Sequence, residues 1–396
     1  MIQLDQQFSA NNYAPLPVIL HKGEGIYLWD VEGKKYIDMM SAYSAVNHGH
    51  CHPKLISAMH KQAQTLAVTS RAFYTDTLEP FLQKACKLFG YEKALPMNTG
   101  AEAVETAIKA ARKWGYQVKK VPDNKAEIIV CNNNFHGRTT TIISFSSEAQ
   151  YKNGFGPFTP GFKLIPYGNV NALKQAITTN TVAFLVEPIQ GEGGIIVPPD
   201  GYLKQCQQIC RENKVLLICD EIQTGLGRTG KLLASMHEKV QPDGLILGKA
   251  LGGGLYPVSL FLANNELMEV FTPGDHGSTF GGNPLAATIA SVALDILIED
   301  KLTENAERMG NYFIHELRKI KCSAMTAIRG KGLLIGVEFD ANKISAREVC
   351  LQLMKNGLLS KETHKTVIRL APPLIITQSQ IDEALMIIKN SFTSYI

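Results

Sequence analysis

Short apolar runs with no polar residue inside them recur between about residues 95 and 265, separated by helical patterns. Ile128-Ile-Val-Cys, Val182-Ala-Phe-Leu-Val, Val215-Leu-Leu-Ile-Cys and Leu245-Ile-Leu show no alternation of apolar and polar positions. A strand with one wet face would alternate, so these strands are expected to be covered on both faces, as parallel strands flanked by helices are. Residues 101–116 supply one such helix, with Val104, Ala107, Ile108, Ala111 and Trp114 at helical spacing. The pattern predicts a three-layer α/β sandwich whose ligands bind beyond the carboxyl ends of the strands. After about residue 285 a long helical stretch leads to Leu333-Leu-Ile-Gly-Val-Glu-Phe, a helix over 347–356, Val367-Ile-Arg-Leu and a last amphipathic helix from Gln380. That is a smaller α+β unit. The chain has no internal repeat and no low-complexity segment.

The length of 396 residues and 45% apolar content suit two domains with a substantial core. Forty basic against 36 acidic residues leave a charge of +4, too balanced to point to nucleic acid or a membrane surface. No apolar stretch reaches the ~18–20 residues of a transmembrane helix. The first residues resemble neither a signal peptide nor a transit sequence. The eight cysteines form no paired framework, and Cys131, Cys219 and Cys350 sit in apolar runs. They are expected to be reduced, packed thiols of a cytoplasmic protein. Cys206 and Cys210 share one face of a helix, where core packing is expected.

Two of the buried runs end in reactive groups. Leu245-Ile-Leu-Gly breaks at Lys249, which is followed by glycines at 252–254, and Val215-Leu-Leu-Ile-Cys ends in Asp220-Glu221. A lysine and an aspartate, each at the end of a buried strand, suit pyridoxal 5′-phosphate. The amine condenses with the cofactor aldehyde, and the carboxylate keeps the pyridine nitrogen protonated so that the ring accepts electrons. Either residue alone would more often be structural, since strand ends are where polar groups reach solvent.

Other segments fit that chemistry in context. Asn98-Thr-Gly-Ala-Glu-Ala opens the first helix of the large domain, and helix N-termini bind phosphate. The same letters spell a capping box, with Thr99 as cap and Glu102 as its partner, and the sequence fits both. After the strand at 128–131, Phe135 can stack on a pyridine ring and Arg138 can hold a carboxylate, though a surface arginine is the plainer reading. Gln223 lies within reach of a phenolic oxygen, and His276-Gly-Ser-Thr is a small hydroxyl-rich loop of the kind that closes over a phosphate. His48, His50 and His52 would line one side of a strand as a metal cluster would, but Gly49 and Pro53 argue for a turn and no metal is expected.

Together these residues resemble the class III (subgroup II) aminotransferases of PLP fold type I. The resemblance runs over nearly the whole chain, through Gly25-Ile-Tyr-Leu-Trp-Asp-Val-Glu-Gly, Ser44-Ala-Val-Asn-His-Gly-His-Cys-His-Pro, Thr69-Ser-Arg-Ala-Phe-Tyr, Val186-Glu-Pro-Ile-Gln-Gly-Glu, Asp220-Glu-Ile-Gln-Thr-Gly, Leu247-Gly-Lys-Ala-Leu and Ile328-Arg-Gly-Lys-Gly-Leu-Leu. It implies a large αβα domain over 49–285 with a mostly parallel sheet, a small α+β domain over 286–396, and a segment 1–48 packing with the small domain. By the same resemblance Lys249 is the Schiff-base lysine and proton shuttle, Asp220 partners the pyridine nitrogen and Gln223 the phenolic oxygen. Phe135 stacks on the ring, and Gly100 and Ala101 donate to the phosphate. Ser278 and Thr279 reach the phosphate of a neighbouring subunit's cofactor, which implies a homodimer with shared active sites.

Within the family the match implies ornithine as amino donor and 2-oxoglutarate as acceptor. Tyr13 and Arg138 occupy the places that grip the α-amino and α-carboxylate groups of ornithine, and Tyr43 matches a second pocket tyrosine. Glu192 matches the glutamate that pairs with a C-terminal arginine, here Arg369. While Glu192 neutralises it, Arg369 does not draw an α-carboxylate beside the reacting amine, so ornithine presents its δ-amine. If Glu192 swings away, Arg369 can bind the carboxylate next to the keto carbon of 2-oxoglutarate. A fixed salt bridge is the plainer alternative. One departure stands out: His136 occupies a place where animal relatives carry tryptophan, which puts the pocket wall in question. N-acetylornithine and 4-aminobutyrate are the rival donors. A 2,1-aminomutase of the same fold and a non-catalytic cofactor-binding protein are the rival classes.

Overall fold

The computed structural model describes residues 1–392; the last four residues of the anticipated 286–396 unit lie outside them. A seven-stranded sheet runs in the order Lys93–Met97, Ser259–Ala263, Gly244–Leu247, Leu216–Asp220, Thr181–Val186, Glu127–Cys131, Phe162–Ile165. From Gly244–Leu247 to Phe162–Ile165 every pairing is parallel. Ser259–Ala263 is antiparallel to both of its neighbours. This is the α/β architecture expected from the uninterrupted apolar runs.

The helix Gly100–Gln117 lays Val104, Ala107, Ile108, Ala111 and Trp114 on one face of the sheet, against Val130, Val182, Ile218 and Ile246. The opposite face packs Leu203, Cys206 and Cys210 of the helix Tyr202–Glu212 against Ile129, Phe184, Leu217 and Cys219. Consecutive strand residues thus point into two different apolar layers, which is why each run reads as continuously hydrophobic. All eight cysteines are free thiols. No helix among the described residues is long and apolar enough to cross a membrane.

Two smaller sheets complete the chain. Met325–Lys331, Leu334–Phe339, Val367–Leu370 and Lys361–Thr363 form an antiparallel sheet. Leu20–Glu24, Tyr27–Asp30 and Lys35–Asp38 form a meander to which Leu358–Leu359 adds in parallel. Residues near the two ends of the chain are therefore zipped together. Arg347 reinforces this by donating to the carbonyls of Ala14 and Pro15, and the N–H of Ala371 donates to Met39 at 2.7 Å.

The fully buried Arg228 ties three stretches at once. Its guanidinium donates to the carbonyls of Leu333 and Pro372 and to the side chain of Asn47. Burial, with no carboxylate bonded to it, lowers its pKa to about 9.

The three histidines each find a different partner. His48 Nε2 bonds the Ala293 carbonyl at 2.9 Å, His50 Nε2 lies 2.7 Å from Asp38 Oδ2, and His52 Nε2 is 3.9 Å from Asp300. Gly49 turns the chain at φ +88° and Pro53 begins the helix Pro53–Thr65. Among the described residues no group of three His, Cys, Asp or Glu side chains is placed to hold a metal.

Candidate active site

The carboxyl ends of four parallel strands converge on one cavity of about 200 Å³, lined by Gly100, Ala101, Phe135, His136, Glu187, Glu192, Asp220, Gln223 and Lys249 among others. Lys249 follows Gly244–Leu247 at the head of a short turn, with φ +45°. A side chain there costs about 1–3 kcal/mol. The burial of Ala250 and Leu251 behind it holds the conformation. Desolvation lowers the pKa of the amine, while the charge of Glu192 works the other way. An amine so placed releases its proton more readily than a surface lysine does.

Asp220 closes the strand Leu216–Asp220. Its Oδ1 accepts the N–H of Ile222 at 3.0 Å and its Oδ2 lies 2.7 Å from His136 Nδ1. His136 is buried. Burial alone would depress its pKa, but the hydrogen bond and charge of Asp220 outweigh that and raise it. His136 is therefore more than a change in the pocket wall: it is the buried partner of the aspartate. Its neighbour Gly137 must be glycine, because at φ +126° a Cβ there would also meet the Ala101 Cβ at 2.9 Å.

Thr99 and Glu102 form the reciprocal capping box, and the Ala103 N–H bonds the Thr99 carbonyl. Cap and anion site coexist, because the box uses the N–H groups of Thr99 and Glu102 and leaves those of Gly100 and Ala101 for a ligand.

Gln223 donates to Glu192 Oε1 at 3.1 Å, and its own Oε1 is buried with no partner among the described residues. Glu192 Oε1 also meets Arg369 Nη2 at 2.8 Å. Burial opposes the charge of Glu192, but Arg369 and Lys249 outweigh it and hold the carboxyl below its usual range. Arg369 is only 2% exposed, and among the described residues its Nε and Nη1 have no hydrogen-bond partner. Tyr43 packs its ring 5.2 Å from the Arg369 guanidinium.

The remaining anticipated residues lie outside this cavity. Tyr13 and Tyr43 line a second, largely apolar one of about 420 Å³. Tyr13 is 70% exposed. Arg138 lies 4.4 Å from the ring of Tyr151 and 5.8 Å from that of Phe135, in a third cavity with Asn12 and Gln150. Ser278 Oγ accepts from Asn98 Nδ2 and from the Gly281 N–H, and Thr279 is exposed. Neither lines the Lys249 cavity of its own chain.

One buried acid was missed. Glu187 accepts the N–H groups of Phe135 and Gly191, so it pins the aromatic loop to the turn carrying Glu192. Burial raises its pKa to about 7, with His136 opposing the shift. Only the position of Glu187 in the Val-Glu-Pro motif hinted at it. The same turn is held from the small sheet, where Arg329 donates to the carbonyls of Gly194 and Ile195 and Thr363 bonds that of Glu192.

Comparison with known proteins shows the family of the chain. The family described as aminotransferase class-III matches residues 8–392. An ornithine aminotransferase of Geobacillus sp. is 57% identical over 99% of this chain and 98% of its own length. The structure of an ornithine aminotransferase from Toxoplasma gondii superposes with a TM-score of 0.98 at 47% identity, over 99% of this chain and 94% of that one. An acetylornithine aminotransferase from Elizabethkingia anophelis superposes at 0.90 with 50% identity, over 100% and 98%.

Proposed function

The chain belongs to the class III aminotransferases, and from that premise we propose that it moves the δ-amino group of L-ornithine to 2-oxoglutarate. The products are glutamate 5-semialdehyde, which cyclises to pyrroline-5-carboxylate, and glutamate. The observation that carries the reading is the 2.8 Å Glu192–Arg369 pair in contact with the Lys249 cavity. A pocket that must accept one substrate by its distal amine and another by its α-carbon needs an arginine that can be silenced.

Pyridoxal 5′-phosphate is the cofactor, and when bound it supplies an aldehyde that condenses with amines and a ring that takes up electrons. The residues present fit it. The N–H groups of Gly100 and Ala101 suit its phosphate, the unpartnered Gln223 Oε1 and its amide suit a polar edge, and Phe135 offers a ring face. Lys249 Nζ is the amine for attachment; once displaced it takes the proton from the δ-carbon of ornithine. Asp220, anchored by His136 and the Ile222 N–H, would hold the negative charge that keeps a pyridine nitrogen protonated. Glu192 shields Arg369 while ornithine reacts and releases it for the α-carboxylate of 2-oxoglutarate. Arg138 takes the remaining carboxylate of each substrate, and Tyr13 and Tyr43 the α-amino end of ornithine.

A homodimer is part of this reading, with Ser278 and Thr279 serving the phosphate site of the partner. The reading also places the enzyme in the reducing cytoplasm, which suits its eight unpaired cysteines.

The rival donor is N-acetylornithine, favoured by the likeness to the Elizabethkingia enzyme. Steady-state assays with 2-oxoglutarate separate the two. Ornithine should give glutamate with kcat/KM well above that of N-acetylornithine or 4-aminobutyrate, and the reverse order would overturn the assignment. Two variants probe the pocket. Glu192→Ala should improve the half-reaction with glutamate relative to ornithine by at least about tenfold, or ~1.4 kcal/mol; an unchanged ratio would remove the gate. Tyr13→Ile should raise the KM for ornithine about three- to tenfold, the worth of one exposed hydrogen bond, and that for 2-oxoglutarate less. Equal effects would place Tyr13 outside the donor site.

A further inference from the structure

The residues 41–44 lie in the left-handed region one after another, with φ of 48°, 46°, 60° and 71° at Ser41, Ala42, Tyr43 and Ser44. None is glycine. Each such residue costs roughly 1–2 kcal/mol, so a run of them persists only where the surroundings impose it. The turn presents Tyr43 to Arg369, the arginine of the gate.

What imposes it is visible. Asp38, at the end of the strand Lys35–Asp38, is 3% exposed. Its Oδ1 accepts the N–H of Met40 at 2.8 Å and of Ser41 at 2.9 Å, the two groups that lead into the turn. Its Oδ2 is taken by His50 Nε2 at 2.7 Å. His50 is itself fixed by backbone hydrogen bonds in both directions with Gly25, and its ring packs so close to Gly23 that a Cβ there would approach it to 3.0 Å. On the far side Ser41 Oγ donates to the Ala371 carbonyl at 2.8 Å, close in sequence to Arg369. Asp38, His50, Ala42, Tyr43 and Tyr13 line one cavity.

We propose that Asp38, oriented by His50, is a positioning residue for the amino donor: it holds the left-handed turn that sets the Tyr43 ring against Arg369. The inference rests on the reading that Tyr43 lines the ornithine site. It gives the middle histidine of the His48, His50, His52 cluster a task that is neither metal binding nor catalysis. In this proposal Asp38 acts on the donor through Tyr43.

A double-mutant cycle on the cofactor-loaded enzyme tests it. Asp38→Ala should raise the KM for ornithine about tenfold, the size of a lost buried charge-assisted hydrogen bond, with kcat and cofactor affinity within about twofold of wild type. His50→Ala, nearer the cavity surface and easier on folding, should act in the same direction with a smaller amplitude. In a Tyr43→Ala background either change should alter KM by less than about twofold, because the residue being positioned is gone. Equal increases in both backgrounds, with Tyr43→Ala itself raising KM, would overturn the positioning role and leave Tyr43 in the donor site. A Tyr43→Ala enzyme with wild-type KM for ornithine would remove Tyr43 from that site and the inference with it. A parallel fall in kcat and cofactor affinity would show Asp38 to be structural and overturn the proposal.

Discussion

Lys249→Ala is expected to yield a folded protein that binds pyridoxal phosphate and does not turn over. The proton transfer assigned to the amine is by itself worth about 10²–10⁴-fold, and loss of the covalent attachment adds to that. Among the described residues no second lysine lines the cavity to stand in for it. The removed side chain sits in a strained turn, at φ +45°, so alanine does not relieve the backbone and the fold should keep its shape. Rapid mixing with ornithine, monitored by product formation, should show a rate at least ~10⁴-fold below wild type. A rate within about tenfold of wild type would mean that another group moves the proton.

Asp220→Asn is expected to be nearly as damaging while changing almost no volume. The carboxylate pairs with the buried His136 and, in the proposed reading, would also partner the ring nitrogen, so the amide would remove one charge from two partners. Breaking a buried ion pair from one side costs about 3–5 kcal/mol, and if that cost falls on the transition state it is a loss of ~10²–10⁴ in kcat. Asp220→Glu retains the charge and should keep more activity than the isosteric amide. Measured kcat values in the order Asn above Glu would show that side-chain length, not charge, is what the site requires.

The sheet was legible in sequence because burial on both faces leaves an unmistakable mark. Val182 to Val186 contains no polar residue, and neighbouring side chains enter different apolar layers. Strand direction leaves no such mark. Ser259–Ala263 is as buried as the parallel strands and runs the other way, a fact set by the length and path of the connection rather than by its residues. Thr99 and Glu102 show how two readings can both be right, since a box that caps a helix spares the N–H groups an anion needs.

The cavity walls were legible where a residue sits at a strand end, as Asp220 and Lys249 do. What stayed hidden are contacts between residues far apart in the chain. The bond between His136 and Asp220, the double acceptance by Glu187, and the buried Arg228 bound to Asn47, Leu333 and Pro372 all depend on how separate segments pack. Tyr13 carries no local pattern, and that it and Arg138 line cavities other than that of Lys249 is a matter of tertiary packing.

The claim on which the mechanism turns is that the amine of Lys249 carries the cofactor. Borohydride reduction of the loaded enzyme makes any such bond permanent, and digestion followed by mass spectrometry locates it. The account predicts one stoichiometric adduct, on the peptide containing Lys249, which prior incubation with excess ornithine prevents. An adduct on a different lysine, or full cofactor binding with no reducible bond anywhere, would contradict it.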